Sequence, residues 1–508
     1  MTTEQTAVLI VGAGPTGLTL ACDLARHGVP VRLIDRRIAY HRESRGKTLQ
    51  PRSLEILEDL GVAEQVVAAG TAHQIYRKYF DGAFVNDTDP VADQRPTPEA
   101  PFDSPVFLGQ WRFEEILRDR LAAHRVHPEL GAELAGFTQD EDGVTATLDD
   151  GRRIRARYLV GCDGGRSLVR RTLEIPFEGR TGPAQTMVCG DVAADGLGRD
   201  HWHQWFTADG GIMLWPIPGT DQFQLQATPE SDEHGGPLPP SLEGFQRLFD
   251  RYAGMPGVRL RDADWLSTWR VNVRMADRFR AERVFLAGDS AHVHPIAGGL
   301  GMNTGIQDAY NLGWKLALVL MGQAGSRLLD SYDEERIPVA AWTLEVTSER
   351  LDRAMRAVRQ PGAGVEAAAV PTLGQGYRWS SLATGRATAV LRPGDRAPDA
   401  PCAAPDGSRV RLFELFAGPH FTLLGFGATA GRALAEVTAA HGNLVVAHAV
   451  GASGQDGGYD IDDAGGHARR AYGIEEDALV LVRPDNHIAL IAGGRDGGAV
   501  RAWFDGLR

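Results

Sequence analysis

"AVLIVGAGPTGLTLACDLARHGVPVRLIDRR", residues 7–37, opens on an unbroken apolar run, passes through a glycine turn into a helical pattern, and ends in a second apolar run. The first run lacks polar alternation, which suits a parallel strand covered on both faces. Gly12, Gly14 and Gly17 form GxGxxG where strand hands over to helix. Such glycines allow a tight turn, close approach of backbone to a diphosphate, and close helix–strand packing. Pro15 and Thr16 begin the helix, whose free N–H groups and dipole favour an anion. Asp35 ends the second run, where a carboxylate can accept from ribose hydroxyls, and Arg36 follows it. The stretch reads as a βαβ unit that binds a dinucleotide.

The rest of the chain sets that unit in a larger frame. At 508 residues the protein exceeds one compact core, so several domains are expected. Hydrophobic content of 43% and charged content of 23% are those of a globular protein. The net charge of -13 argues against nucleic-acid and anionic-membrane partners. Nearly all cations are arginine; Lys47, Lys78 and Lys315 are the three lysines, a bias we read as codon usage. Cys22, Cys162, Cys189 and Cys402 form no CxxC or CxxH pair, which excludes zinc ribbons and dithiol chemistry and fits a reducing compartment. With no apolar run of membrane-spanning length and no signal-peptide pattern at the N-terminus, a cytoplasmic location is expected.

Residues 75–105, rich in Asp, Pro and aromatics, suggest an excursion from the first sheet. "GFTQDEDGVTATLDDGRRIRARYLVGCDG" alternates as antiparallel strands with a DG turn. Residues 181–272 are β-rich and interrupt the parallel-sheet unit, which resumes at "RVFLAGD". After a helical stretch and a connector of low regularity, short strands from about residue 391 form a further unit.

Two later stretches say which dinucleotide. "GCDGGRSLVR" places Asp163, Gly164 and Arg166 after a strand, and "FLAGDSAHVHP" does the same for Gly288 and Asp289. GxGxxG, DG and GD stand in order, and with them residues 5–390 resemble the single-component flavin-dependent aromatic hydroxylases of the para-hydroxybenzoate hydroxylase type. The resemblance implies an α/β chain: a Rossmann-like FAD-binding domain of the GR2 type, an inserted β-sheet substrate domain, and FAD as cofactor. It implies that Asp289 binds the ribityl chain and that Asp163 and Arg166 serve FAD and the nicotinamide donor. It implies that Gln110 and Arg45 contact the flavin, Arg42 and Arg52 being near enough to leave the arginine open. "PIAGGLGMN", with Pro295, Gly298, Gly299, Gly301, Met302 and Asn303, is similar to the loop whose amides face the isoalloxazine ring. A helix starting there directs positive partial charge at the anionic side of a reduced flavin. His292 and His294 could chelate a metal, but no third ligand is evident, so no metal is expected and a packing or hydrogen-bonding role is preferred.

Family resemblance further implies NADPH or NADH as co-substrate and O2 as oxidant. The flavin C4a-hydroperoxide carries the chemistry, and no protein side chain is singled out as catalytic. The inserted sheet has Trp202, Trp205, Met213, Trp215, Gln224 and Gln226 as substrate candidates, and Pro295 is a further one. Residues 391–508 resemble the thioredoxin-like domain of the phenol and polyketide hydroxylase branch, without its CxxC. The expected division is 1–180 with 273–390 for FAD, 181–272 for substrate with a contribution from about 72–110, and 391–508 as the tail. The expected activity is NAD(P)H-dependent hydroxylation of an aromatic, polyketide-like phenol of the kind met in antibiotic biosynthesis, by a monomer or homodimer. Three alternatives stand beside it: hydroxylation of a small phenol or phenylpropionate, Baeyer–Villiger oxygenation of a polycyclic ketone, and FAD and ligand binding without turnover.

Overall fold

The computed structural model describes residues 4–294, 299–357, 372–451 and 458–508, so Pro295 and Gly298 lie outside the described residues. The chain enters as β1 (Glu4–Val11), turns into α1 (Pro15–Arg26) and returns as β2 (Val31–Asp35). Then come α2 (Pro51–Asp59), β3 (Tyr76–Phe80), α3 (Gln110–Ala123), β4 (Arg153–Gly161) and α4 (Leu168–Thr172). β5 (Phe177–Asp195), β6 (Trp202–Thr207), β7 (Gly210–Pro216), β8 (Gln222–Ala227), α5 (Leu242–Ala253) and β9 (Arg259–Ala276) follow. β10 (Val284–Leu286), α6 (Gly301–Leu320) and α7 (Ser331–Ala357) return to the first layer. The last unit holds β11 (Phe421–Phe426), α8 (Ala430–His441), β12 (Val445–Gly451), β13 (Ala478–Val482), β14 (Ile488–Gly493) and α9 (Gly497–Asp505).

In the first sheet β10, β4, β1 and β2 lie side by side, all parallel. Val8, Leu9 and Ile10 of β1 are completely buried, as a strand covered on both faces requires. Gly12 adopts φ +107°, and a Cβ there would collide with the Cys162 carbonyl at the end of β4. α6 crosses α1 closely because Gly305 and Gly313 leave room for Thr16 and Asp23, which a Cβ at either glycine would strike.

The second sheet runs β9-β5-β8-β7-β6-β3. Its member β3 comes from the aromatic-rich excursion and pairs parallel with β6, Tyr76 beside Trp202. Alternation divides its residues between two faces. Trp205, Ile212, Leu214, Phe223 and Leu225 pack beneath Phe245, Leu248 and Phe249 of α5. Trp202, Phe206, Met213 and Trp215 cluster with Tyr76 and Phe107 on the other face.

In the last unit β11 pairs parallel with β12 and antiparallel with β13, which continues antiparallel to β14, a thioredoxin-like arrangement. All four cysteines of the protein are free thiols. This unit docks on the charged side of α2: Arg52 donates to the Asp485 carbonyl at 2.7 Å, Arg396 to Glu55 at 2.8 Å, and the Gly418 N–H to Asp59 at 2.8 Å.

Candidate active site

The cradle begins at the glycine turn. Gly14 is the N-cap of α1 and no side chain caps it, so the first N–H groups of the helix are free for an anion. A Cβ at Gly14 would meet no protein atom within 4 Å, whereas one at Gly17 would run into the Gly12 carbonyl oxygen. Asp35 closes the turn, accepting from the Ala13 N–H at 2.8 Å and the Arg37 N–H at 2.9 Å, while Arg36 is exposed.

The DG and GD motifs arrive beside it at the ends of β4 and β10. Asp163 Oδ2 accepts from the N–H groups of Leu168 (2.7 Å) and Val169 (3.1 Å) at the start of α4. Its Oδ1 is buried without a partner among the described residues. Gly164 stands at φ +79° and the Arg166 side chain is exposed. Gly288, at φ +62°, lies against Thr16 and donates to Asp308 at 2.9 Å. Asp289 is exposed to solvent although Gly288 and Ser290 on either side are buried. The surrounding protein raises its carboxyl above the ordinary range, against the pull of His292 and Arg45.

Residues 44–50 join this cradle to the sheet. Gln110 accepts from the Gly46 N–H at 3.0 Å and donates to Glu114 at 2.8 Å. Asn303, in the first turn of α6, accepts from the Gln50 N–H at 2.8 Å and donates to the carbonyls of Thr48 (2.9 Å) and Gly299 (2.6 Å). Met302 places its sulfur against Gly46. The N-terminus of α6, at Gly301, has no side-chain cap. Arg45 is half-exposed, bonded to Glu43 at 2.7 Å and poised over Trp265.

Behind the loop, His292 and His294 hydrogen-bond one another at 2.9 Å, and His292 Nε2 stands 2.6 Å from Asp308. Arg336 donates to the other oxygen of Asp308 at 2.7 Å. Burial works against the Asp308 carboxylate, but His292 and Arg336 overcome it and hold the group below the ordinary range. The two histidines therefore tie α6 to the GD turn.

The sheet face turned toward this loop carries a polar stripe beside its aromatic cluster. Gln204, Met213, Gln226 and Cys189 are successive cross-strand neighbours, as are Trp215, Gln224 and Asp191. All are buried. Lys47 reaches into this stripe from the loop, its Nζ 2.7 Å from Gln224 Oε1 and 4.0 Å from the centre of the Trp202 ring. Ser44 donates to Asp191 through its N–H, at 2.9 Å, and through its hydroxyl.

Of the sequence candidates, the structure gathers Trp202, Met213, Trp215, Gln224 and Gln226 on this face. Trp205 points the other way, stacked on Tyr79 at 5.2 Å and edge-on to Phe249 at 5.4 Å. Its odd position relative to Trp202 dictates that, so it packs on the face beneath α5, away from Trp202 and Trp215. Lys47, Gln204, Cys189, Asp191 and Ser44 escaped the sequence reading. A signal was available for the lysines: Lys78 and Lys315 are buried and Lys47 lines the site. Where arginine serves nearly every exposed cationic position, a retained lysine marks an environment that selects it.

These features fit FAD: two uncapped helix N-termini for charge on the cofactor, space over Gly14, and an unpartnered buried oxygen on Asp163. Among the described residues no cluster of three or more His, Cys, Asp or Glu is arranged to hold a metal, and no helix is long and apolar enough to cross a membrane.

The comparisons agree with that chemistry. Residues 5–347 match the FAD binding domain family and residues 391–506 the C-terminal domain of aromatic-ring hydroxylases. A flavin-dependent monooxygenase of Mycobacteroides abscessus is 41% identical over 437 residues, 83% of this chain and 89% of the relative. The 6-methylpretetramide 4-monooxygenase of Streptomyces rimosus is 35% identical over 518 residues, 95% of this chain and 90% of the relative. The crystal structure of aklavinone-11 hydroxylase with FAD and aklavinone superposes with a TM-score of 0.82 at 30% identity, covering 99% of this chain and 100% of that one. The chain belongs to the aromatic-ring hydroxylase family and is an FAD-dependent monooxygenase.

Proposed function

We propose that the protein hydroxylates a flat, polyketide-like phenol with NADPH or NADH as hydride donor and O2 as oxidant. The observation that carries this reading is the buried patch of Gln204, Gln224 and Gln226 beside the neighbouring Trp202 and Trp215, on the sheet face that Lys47 reaches from the loop joined to the α6 N-terminus. Aromatic walls accept a planar ring system, and the amides select one that carries hydroxyl or carbonyl groups. The relatives named for 6-methylpretetramide and aklavinone support a polycyclic substrate, and one named for pentachlorophenol, 33% identical over 519 residues, supports a small phenol as the second reading.

Reduced FAD, when bound, activates O2 and delivers one oxygen atom to the substrate. The chain's own residues hold and orient. Gly12, Gly14 and Gly17 with the α1 N-terminus take the diphosphate, Asp35 the ribose, and Asp163 and Asp289 the hydroxyls between them. Gln110 and Asn303 fix residues 46–50 against the α6 N-terminus, which offers N–H groups to the ring. The second sheet roofs this space and excludes water. We assign residues 1–180 with 273–390 to FAD, 181–272 to substrate, and 391–508 to support of α2.

The test is anaerobic reduction of the FAD-loaded protein by NADPH and by NADH, with and without a panel of small phenols and polycyclic phenols. Acceleration by the polycyclic class is the expected result. Acceleration by small phenols alone would move the substrate assignment, and no reduction by either donor would overturn the hydroxylase reading.

A further inference from the structure

The polar stripe contains one group that packing and ion pairing do not explain. Lys47 extends from the loop at Gly46 toward the second sheet, with its backbone carbonyl accepting from the Leu108 N–H at 2.9 Å. Among the described residues its Nζ has no carboxylate within ion-pair distance; it bonds Gln224 Oε1 and lies over the rings of Trp202 and Trp215. Asp191, the nearest candidate partner, is held by Ser44 instead. Lys315 shows the contrast, because it is fully buried but bound to Glu335 and Asn311 at 2.7 and 2.8 Å. An ammonium aimed along a wall of aromatic rings, with donor capacity to spare, is arranged for an anion that arrives with a flat ligand.

Resting on the hydroxylase reading, we propose that Lys47 is the anchor for an acidic hydroxyl of the substrate, a phenol or enolised diketone, and that it holds this group as the oxyanion. The hydroxyl O–H bond breaks heterolytically, and its electron pair stays on oxygen. The proton goes to Nζ when the amine is free, or to solvent when Nζ is already ammonium. Either route ends in an ammonium–phenolate pair, with the Gln224 amide beside it. The negative charge then enters the ring and makes it a stronger nucleophile toward the flavin-borne oxidant. This narrows the substrate class to aromatics with an ionisable hydroxyl ortho or para to the position attacked.

Electrostatics around Nζ suit both routes. Burial pushes the Lys47 amine down to about 7, against the pull of Cys189 and Asp191 on β5. Burial also pushes Asp191 up to about 6 and the Cys189 thiol up to about 12. Arg45, paired with Glu43, stands on the same loop, and Lys78 stands on the same sheet face.

The experiment uses FAD-loaded protein and alizarin, a planar dihydroxyanthraquinone whose absorption moves to longer wavelength on ionisation, at a pH where the free dye is neutral. Wild type is expected to bind the ionised dye. Lys47→Gln should bind it neutral and roughly tenfold to a hundredfold more weakly. Lys47→Arg should keep the ionised spectrum, because guanidinium supplies charge without needing to accept a proton. The colour reports the ionisation state of bound dye, which a merely structural lysine would not move. The same spectrum in wild type and Lys47→Gln, or no ionised dye on wild type, would overturn the proposal. If neutral bound dye still accelerates flavin reduction, the hydroxylase reading stands without this anchor. If ionised dye leaves reduction by NADPH and NADH unchanged, the anchor stands and hydroxylation fails.

Discussion

Arg483 and Glu335 meet across the seam between the C-terminal unit and the flavin-binding body, Arg483 Nη1 2.6 Å from Glu335 Oε1 with both side chains buried. Glu335 also takes Lys315 at 2.7 Å, and Arg483 is shared with Asp485. Burial works against the Glu335 carboxylate, but Arg483 and Lys315 overcome it and hold the group below the ordinary glutamate range. Glu335→Gln leaves two buried cations short of a partner and should cost about 3–5 kcal/mol. The depressed group contributes stability above the ordinary glutamate pKa of about 4.3, and that contribution disappears as pH falls below it. In calorimetry the variant should lose most at neutral pH and converge on wild type in acid. A gap that persists unchanged into acid would refute this account.

Two glycines of one motif should fail differently. Gly17→Ala places a methyl against the Gly12 carbonyl, a backbone atom that cannot step aside, and should destabilise the protein by about 1–3 kcal/mol even without cofactor. Gly14→Ala meets no protein atom, so its thermal midpoint without FAD should match wild type while FAD affinity falls. Thermal melts and FAD titration separate the two. Equal effects on both quantities in both variants would show that the turn does not divide labour this way.

The parallel sheet was legible because its signals are local: an unbroken apolar strand, GxGxxG, and a carboxylate at the end of β2. The substrate face was half-legible. Period-two alternation separates Trp202 from Trp205, but which of them faces the flavin depends on α5, an amphipathic helix that covers one side from forty residues further along. Asp191 was hidden for a related reason, since it stands in no recognisable motif and only the fold brings β5 against residues 44–47; for Lys47 the one local signal was the rarity of lysine in this chain. The docking role of α2 was hidden too. Arg52, Glu55 and Asp59 look like an ordinary solvated face until the C-terminal unit covers them.

The two tryptophans give a direct test of the face assignment. Trp205→Ala removes a ring packed among Tyr79, His203 and Phe249 and should cost roughly 3–5 kcal/mol, with no change in the ligand concentration that half-accelerates flavin reduction. Trp202→Leu removes the ring under Lys47 and should raise that concentration by up to about thirtyfold, since a desolvated cation–π contact is worth about 2 kcal/mol. If Trp205→Ala weakened ligand action in the folded enzyme as much as Trp202→Leu, the substrate would have to lie on the opposite face.

A lysine kept for binding should also tax stability, and the pH dependence gives the sign. Lys47 ionises at about 7 in the folded protein and near 10.4, as an ordinary lysine, once unfolded. Between those values the unfolded chain binds more protons, so this residue's contribution makes stability rise with pH; below about 7 its penalty is present in full. Lys47→Met removes the penalty and keeps the stem that lies along Trp202. The FAD-loaded variant should melt above wild type at pH 6, and the advantage should shrink steadily as pH rises above 7. An advantage that is constant, or grows with pH, would mean the amine is charged and solvated at neutral pH. The site would then have no reason to retain a lysine where this chain otherwise uses arginine.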